Sequence, residues 1–421
     1  MSAPRNAQKV SAGTYTPTQL QKIVWGSGSL SSLPELVQLV SVPPHASTDQ
    51  PNQPAKAMIL TGSSLSKTSI IPEAEKMLGK HFALTYTGIG EHSPVEGIRK
   101  ALSGMKEHGA NVIVAIGGGS PIDAAKAISY YAHQEAQQDK DKHGCKDGKD
   151  DDDDHDDFIP IIAVPTTLSA AQTSRNAGYT DGGKKVGVSD ARIVPRALVL
   201  DADLTLQTPE RLWLSTGMRA VDHAIELLYR PDPSPLLRNM WLGALRDLFH
   251  LLPMSKSQPQ NVDVRQRLLL ASVASLWSED RVGALGLSHA LGHALGATYK
   301  IGHGITTCLT LAPTIRLMAQ LPLDKIGTEQ LVALSESLDH IPKPYHVDAL
   351  HNIAPPTGAL LQQQPYKELD EQSATPLRQR AQKVADAVQR LIDDLGLHST
   401  LQPLGVPRQD LDKSEYDIPD P

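Results

Sequence analysis

The sequence predicts a protein in two parts: an α/β domain with a doubly wound parallel sheet, followed by an all-helical domain. In the first half, short apolar segments alternate with amphipathic segments, which is the order of strands and helices around a parallel sheet. In the second half, Ala- and Leu-rich segments recur at helical spacing, and no convincing strand follows. The length of 421 residues fits two or three domains.

Four short segments of the first half are predicted strands. They are Ala57–Thr61, Asn111–Ile116, Phe158–Val164 and Ala197–Asp201. Each is continuously apolar, which is typical of strands that are covered on both faces. The amphipathic segment Val95–His108 lies between two of them and is predicted to be a helix.

Five long segments of the second half are predicted helices. They are Thr208–Tyr229, Pro235–Leu252, Val264–Trp277, Leu287–Thr298 and Pro376–Leu395. The change of pattern places a domain boundary near residues 203–208, so we expect domains at residues 1–205 and 206–421.

Two inserts interrupt the first domain. Residues 41–56 are rich in Pro, Ser and Gln, and residues 139–157 form an acidic low-complexity segment, DKDKHGCKDGKDDDDDHDD. Such segments are usually solvated and disordered, so we expect both to be surface loops. Weak cation binding is the alternative interpretation of the acidic insert.

Composition and charge exclude several classes of protein. The chain is 40% hydrophobic and 21% charged, as in ordinary globular proteins. A net charge of −7 and an aromatic content of 4% argue against nucleic-acid binding. The two cysteines, Cys145 and Cys308, lie in dissimilar surroundings, so we expect unbridged thiols in a reducing compartment. No secretory signal or membrane-length apolar segment is readable, so we expect a cytoplasmic location and no membrane contact.

The clearest local motif is a glycine-rich turn between a predicted strand and a predicted helix. It runs from Ile116 to Ile128 with the sequence IGGGSPIDAAKAI. Glycines let a ligand approach the backbone, and the helix that follows offers free N–H groups and the positive end of its dipole. The motif therefore predicts a phosphate-binding loop, and a plain turn is the alternative. Its spacing differs from the GxGxxG pattern of an ordinary dinucleotide fold.

A second cluster of residues is rich in histidine. His289 and His293 are four residues apart and so share a helix face, His303 follows them, and His223 lies on an earlier predicted helix. Neutral imidazole is the commonest protein ligand of metals, and three ligands with an open position suit catalysis. The cluster predicts a catalytic or metal site, while ordinary structural packing of each histidine is the alternative.

The glycine loop resembles that of the iron-containing (group III) alcohol dehydrogenase family, near its maleylacetate reductase branch. Other segments resemble the family in the same order along the chain. They are Trp25–Leu30 (WGSGSL), His92–Glu96 (HSPVE), Val164–Thr167 (VPTT) and Asp201–Leu204 (DADL). The resemblance implies a dehydroquinate synthase-like fold, with a dinucleotide-binding domain first and a helical metal and substrate domain second. It also implies NAD or NADP as cofactor and a homodimer.

The resemblance assigns the cofactor site residue by residue. Eight residues would bind the dinucleotide: Gly117, Gly118, Gly119, Ser120, Asp123, Thr166, Thr167 and Lys185. The family usually continues its PTT segment with a GTGSE-like stretch, whereas here the residues are LSAAQT, from Leu168 to Thr173. This departure removes a carboxylate from the expected contacts.

The resemblance also assigns a metal site and marks a departure within it. His223, His289 and His303 correspond to histidine ligands of a divalent ion, Fe or Zn, and His293 to a histidine near the nicotinamide. The family has an Asp ligand where this chain has Arg219, which cannot donate a lone pair. We therefore expect the affinity for a metal ion to be weak or absent. Asp222 is one residue from His223, so helical geometry argues against its replacing that ligand.

The function expected from these residues is hydride transfer between a nicotinamide cofactor and a small alcohol, aldehyde or carboxylated substrate. His293 is the expected proton donor, and Arg219 is expected to bind a substrate carboxylate or oxyanion. The turn Gly62–Ser64 carries no carboxylate to repel the 2′-phosphate of NADPH, so NADPH is expected to be accepted. A nucleotide-binding pseudoenzyme and a dehydroquinate synthase-like lyase are the alternatives.

Overall fold

The computed structural model describes residues 15–42, 54–90, 93–142, 158–181, 184–230, 234–277, 285–345 and 369–410. The strands of these residues are β1 (Lys22–Trp25), β2 (Ala57–Gly62), β3 (Phe82–Ile89), β4 (Val112–Gly117), β5 (Ile161–Pro165), β6 (Asn176–Asp181), β7 (Lys184–Ser189) and β8 (Ala197–Leu200). The helices of the first half are α1 (Leu33–Ser41), α2 (Ile70–Leu78), α3 (Val95–Glu107) and α4 (Gly119–Lys142). Those of the second half are α5 (Glu210–Leu228), α6 (Pro235–Ser257), α7 (Val262–Ser275), α8 (Leu287–Tyr299), α9 (His303–Met318), α10 (Lys325–Ser337) and α11 (Glu371–Asp394).

Six of the strands form one parallel sheet, in the order β1-β8-β5-β4-β2-β3. The chain leaves β2 towards β3 on one side and leaves β4 towards β5 on the other. The crevice at the carboxyl ends of β2 and β4 is therefore a topological switch point, where open α/β sheets bind their ligands. The predicted fold class, a doubly wound parallel sheet followed by helices, is confirmed.

The central strands are buried on both faces, as their continuous apolar sequences predict. On β4, Val112 and Val114 pack into the core with α1 and α2, while Ile113 and Ala115 pack into the core with α3 and α4. That second core continues without a break into the apolar side chains of the helical half. The sheet and the C-terminal helices are consequently joined by shared apolar burial.

A buried carboxylate fixes the turn after β1. Asp201, directly after β8, accepts hydrogen bonds from the N–H groups of Gly28 at 3.2 Å and Leu30 at 3.0 Å. It also accepts one from the N–H of Asp203, at 3.2 Å. Two of the segments that resemble the family, WGSGSL and DADL, therefore form one structural unit.

The inserts and the cysteines are described only in part. Helix α4 extends through Lys142 into the acidic insert, and α1 ends at Ser41 where the other insert begins. Residues 43–53 and 143–157, and Cys145 with them, lie outside the described residues. Cys308 is a buried free thiol on α9.

No helix in the described ranges is both long enough and apolar enough to cross a bilayer.

Candidate active site

The glycine loop lies at the switch point, between the end of β4 and the start of α4. Gly117 has φ = +145°, a conformation that L side chains rarely adopt. Its carbonyl accepts the N–H of Thr166 at 2.9 Å, which joins the loop to the PTT segment after β5. Because α4 begins at Gly119, the first N–H groups of this helix face the same crevice.

The loop and the PTT segment pack closely at the glycines. A Cβ at Gly118 would stand 3.2 Å from Cγ2 of Thr167, and one at Gly119 would stand 3.4 Å from Oγ of Ser169. Thr166 and Thr167 are buried. The structure therefore brings together seven of the eight sequence-predicted cofactor residues. For the eighth, Lys185 on β7, only the backbone is described.

Lys126 is a buried residue of this region to which the sequence analysis assigned no role. Its Nζ donates to the carbonyls of Ala171 at 2.5 Å and Asn176 at 2.9 Å, and lies 3.7 Å from Oδ1 of Asp123. Burial lowers the pKa of Lys126 to about 8, and the neighbouring Asp123 acts in the opposite direction. Lys126 thereby ties α4 to the segment that replaces the family's GTGSE-like stretch.

Helix α5 and the residues just before it hold the PTT segment from the other side. Thr208 Oγ1 donates to the carbonyl of Thr166 at 2.7 Å. The N–H of Leu168 donates to Oγ1 of Thr216, on α5, at 3.1 Å. These two hydrogen bonds bracket Thr167, so the helical half of the chain positions the loop that faces Gly118.

Three helices bring the four predicted histidines together. His223 lies on α5, His289 and His293 on α8, and His303 at the first position of α9. The ring centroids are 5.5 Å apart for His223 and His289, 4.9 Å for His289 and His293, and 5.0 Å for His293 and His303. The pKa of His223 is held well below its usual value by burial and then by the nearby charge of Arg219, so this imidazole is neutral.

Arg219 points into the histidine cluster. Its Nη2 lies 3.3 Å from Nε2 of His289. Burial lowers the pKa of this guanidinium, and the carboxylates of Asp222, Asp123 and Glu226 act in the opposite direction. Because the ordinary pKa of a guanidinium is so high, buried Arg219 remains a cation at neutral pH. The site therefore places a fixed positive charge one helical turn from His223. This charge also interacts electrostatically with Asp123, beside the glycine loop.

Two buried carboxyl groups lie behind the histidines. Oδ2 of Asp222 lies 3.5 Å from Nδ1 of His289, although sequence reasoning had set Asp222 aside. Glu226 accepts the N–H of Ser288 at 2.7 Å and the hydroxyl of Tyr229 at 2.9 Å. Burial raises the pKa of both carboxyl groups. Their spacing of four residues on one helix was the sequence signal that could have indicated a shared buried face.

The family's metal site does not fit the residues present here. A metal on His223, His289 and His303 would need a lone pair of His289, yet Nε2 of that ring lies 3.3 Å from the cationic Nη2 of Arg219. Asp222, Glu226 and His289 offer possible ligand atoms within 4.8 Å of one another. However, Glu226 already binds backbone N–H groups at the positive end of α8, which disfavours a cation there.

Two family profiles match this chain. The profile described as iron-containing alcohol dehydrogenase matches residues 20–202. The profile of the C-terminal region of the Fe-containing alcohol dehydrogenase family matches residues 213–415.

Curated relatives and solved structures point to the same family. Dehydrogenase FUM7 of Gibberella moniliformis is 33% identical over 278 residues, which is 60% of this chain and 64% of that protein. The maleylacetate reductase of Rhizobium sp. strain MTP-10005 is 27% identical over 74% of this chain and 78% of its own. The crystal structure of that reductase matches with a TM-score of 0.64 at 21% identity, over 97% of this chain and 90% of its own. A 1,3-propanediol oxidoreductase structure matches with a TM-score of 0.71 at 20% identity, over 95% and 91%. These two structures show the fold.

The chain belongs to the iron-containing alcohol dehydrogenase family, near its maleylacetate reductase branch. It is an NAD(P)-dependent oxidoreductase that acts on a small molecule, as the sequence predicts. The comparisons favour neither a pseudoenzyme nor a dehydroquinate synthase-like lyase. The family uses NAD(P) and a divalent metal, and Arg219 marks where this chain departs from it.

The close approach of Gly118 to Thr167 yields a first prediction. Gly118→Val should weaken cofactor binding at least tenfold, because the new side chain meets Thr167 3.2 Å away and fills the crevice. Fluorescence titration with NADH and NADPH measures the dissociation constants. Gly243→Val on α6 is the control, since a Cβ there meets no atom within 4 Å. Parent-like affinity in Gly118→Val would show that the cofactor lies elsewhere.

The hydrogen bond between Leu168 and Thr216 yields a second prediction. Thr216→Val keeps the side-chain shape but leaves the buried N–H of Leu168 without its acceptor. We expect the free energy of unfolding to fall by about 1–3 kcal/mol and kcat to fall at least about fivefold. Thr216→Ser keeps the hydroxyl and should remain close to the parent in both. Urea unfolding and steady-state kinetics measure the effects. A Val variant equal to the parent in both would rule out this link.

Proposed function

We propose that the chain reduces a small substrate that carries a carboxylate, as maleylacetate does. The observation that carries this proposal is Arg219, a cation in contact with His289 of the histidine cluster, at the position of the family's anionic metal ligand. A guanidinium binds a carboxylate with two parallel hydrogen bonds, which an ammonium or an imidazole does not. The similarity to maleylacetate reductases supports the same substrate class.

The proposed mechanism divides the chemistry between Arg219 and His293. When bound, the nicotinamide supplies the hydride. Arg219 holds the substrate carboxylate or stabilises the negative charge that develops on the carbonyl oxygen. His293, between His289 and His303, donates the proton that completes the reduction. No step passes through a metal ion.

The same proposal assigns the cofactor and the domains. The pyrophosphate binds at Gly117–Ser120 with Asp123 nearby, and Thr166 and Thr167 contact the ribose and nicotinamide end. Lys185 is the eighth proposed cofactor residue, on the family resemblance alone. The positive φ of Gly117 and the close packing of Gly118 on Thr167 support this placement. Residues 1–205 then bind the cofactor and residues 206–421 bind the substrate, with α5 at their junction.

The substrate class is tested by Arg219→Asp, which removes the cation and restores the family's carboxylate ligand. We expect kcat/KM for maleylacetate to fall about 10- to 100-fold, because a hydrogen bond to a charged group contributes about 1.5–3 kcal/mol. We also expect the variant to bind Zn²⁺ or Fe²⁺ more tightly than the parent. Initial rates with maleylacetate and with short aldehydes, and elemental analysis after dialysis, measure the two effects.

Arg246→Asp is the matched control for that experiment. It makes the same charge change at a residue of α6 whose side chain is 63% exposed. We expect parent-like rates and metal content. A parent protein that holds one ion per chain and prefers short aldehydes would contradict the proposal, since the metal would then polarise the substrate oxygen.

The end of β2 yields a prediction about cofactor choice. Ser63 and Ser64 are exposed after β2, next to the glycine loop, and this turn has no carboxylate. We expect kcat/KM for NADPH to lie within about tenfold of that for NADH. Ser63→Asp should lower the value for NADPH selectively, by about tenfold or more, because a carboxylate there repels the 2′-phosphate. Ser103→Asp on α3 is the control. A parent preference for NADH of several hundredfold would overturn this expectation.

The cellular context completes the proposal: we place the chain in the cytoplasm as a homodimer. The unbridged Cys308 supports a reducing compartment. The edge strand β1, whose Trp25 is 61% exposed, supports association with a second copy. Cell fractionation and light scattering of the purified protein measure these two properties.

A further inference from the structure

Helix α8 carries His289 and His293, yet it buries few apolar side chains. Among the described residues of α8, the buried ones are Ser288, Gly292 and Gly296. Of its three leucines, Leu287 and Leu291 are 38% and 43% exposed, and Leu295 is half-buried. Helix α5 on the opposite side of the site buries fifteen of its nineteen residues. The hydrophobic effect that fixes α5 therefore contributes little to the position of α8.

A buried carboxylate of α5 binds the N-terminus of α8 instead. Glu226 Oε1 accepts the N–H of Ser288 at 2.7 Å, and Oε2 accepts the N–H of His289 at 3.3 Å. The residue before α8, Gly286, provides no side-chain cap. Glu226 therefore does from another helix what an N-cap side chain does locally: its two oxygens accept hydrogen bonds from the first free N–H groups of the helix.

Gly286 allows this approach. A Cβ at position 286 would stand 2.5 Å from Oε1 of Glu226 and 2.7 Å from the hydroxyl oxygen of Tyr229. The φ of Gly286 is −154°, an extended conformation open to any residue, so the backbone itself does not require glycine. The constraint on position 286 is the space that the Glu226 carboxylate occupies.

We propose that Glu226 is a positioning residue for the reaction: its carboxyl group, which lies against Gly286, fixes the start of α8. It thereby places His289 against Arg219 and His293 beside His289. The inference deepens the proposed function, because the placed histidines include its proton donor. In this role Glu226 acts through the α8 backbone, by way of the N–H groups of Ser288 and His289.

The test compares two glycines that precede helices of the site. Gly286→Ala puts a methyl group against the carboxylate, whereas Gly302→Ala, before α9, puts one where no atom lies within 4 Å. The two changes have similar intrinsic effects on a helix start, so their difference isolates the contact with Glu226. Hydrogen-exchange mass spectrometry of the full-length protein follows residues 287–299, and kinetics give kcat and the cofactor dissociation constant.

We expect exchange at the start of α8 to be at least tenfold faster in Gly286→Ala and unchanged in Gly302→Ala. We expect kcat to fall at least tenfold in Gly286→Ala, with cofactor affinity within about twofold of the parent. Glu226→Gln keeps one acceptor oxygen and should lie between parent and Gly286→Ala in both measurements. Faster exchange with unchanged kcat would support the role of Glu226 in holding α8 and contradict the assignment of His293. Equal exchange of α8 in the two alanine variants would overturn the inference.

Discussion

The packing of helix α5 against the PTT segment is the contact on which the rest of the site depends. Thr216 accepts the Leu168 N–H, and Gly217 lies where a Cβ would stand 2.3 Å from Cδ2 of Leu252. Arg219 and His223 follow within two turns of the same helix. Because a buried helix moves as a rigid rod over that distance, one element sets the position of the segment that faces the glycine loop and of the groups proposed to bind the substrate. The geometry of hydride transfer is consequently fixed by the junction of the two halves rather than by either half alone.

The charge balance of the cleft follows from the guanidinium on α5. A buried cation is costly unless anions compensate its lost hydration, and Asp222, Asp123 and Glu226 supply that compensation. Burial also disfavours the charged forms of these carboxyl groups, since it raises the pKa of Asp222 and of Glu226. In the family pattern an anionic ligand and a divalent ion provide the charge balance. Here the cation is covalently part of the chain, so its position is set by the helix and its charge persists without any bound metal.

The sequence predicts those parts of this structure that depend on local pattern. The apolar segments of β2, β4, β5 and β8 are readable because both faces of each strand are buried. Strand β3 was missed because it lies at the sheet edge, where its residues are mostly half-buried or exposed and the apolar pattern is weak. The four histidines are readable from the helical spacing on α8 and the resemblance to the family. The roles of Glu226 and Lys126 are not, because their partners, Ser288 and the carbonyls of Ala171 and Asn176, meet them only through tertiary packing.

The two sides of the site are therefore held by different forces. Glycines let backbones approach throughout: a Cβ at Gly304 would stand 2.5 Å from the carbonyl oxygen of Ser215, and one at Gly292 would stand 3.0 Å from Oγ1 of Thr306. Close approach through glycine brings helices together but buries little apolar area. Since each buried methylene contributes about 0.8 kcal/mol, such contacts add little hydrophobic stabilisation. Helix α5 compensates with many buried aliphatic side chains, whereas α8 has none among its described buried residues. Polar groups must then define where α8 begins. Because a hydrogen bond requires a limited range of distance and angle, the two bonds to Glu226 specify that position. The side that carries His289 and His293 is thus held mainly by polar contacts, whereas the side that carries Arg219 is held mainly by apolar burial.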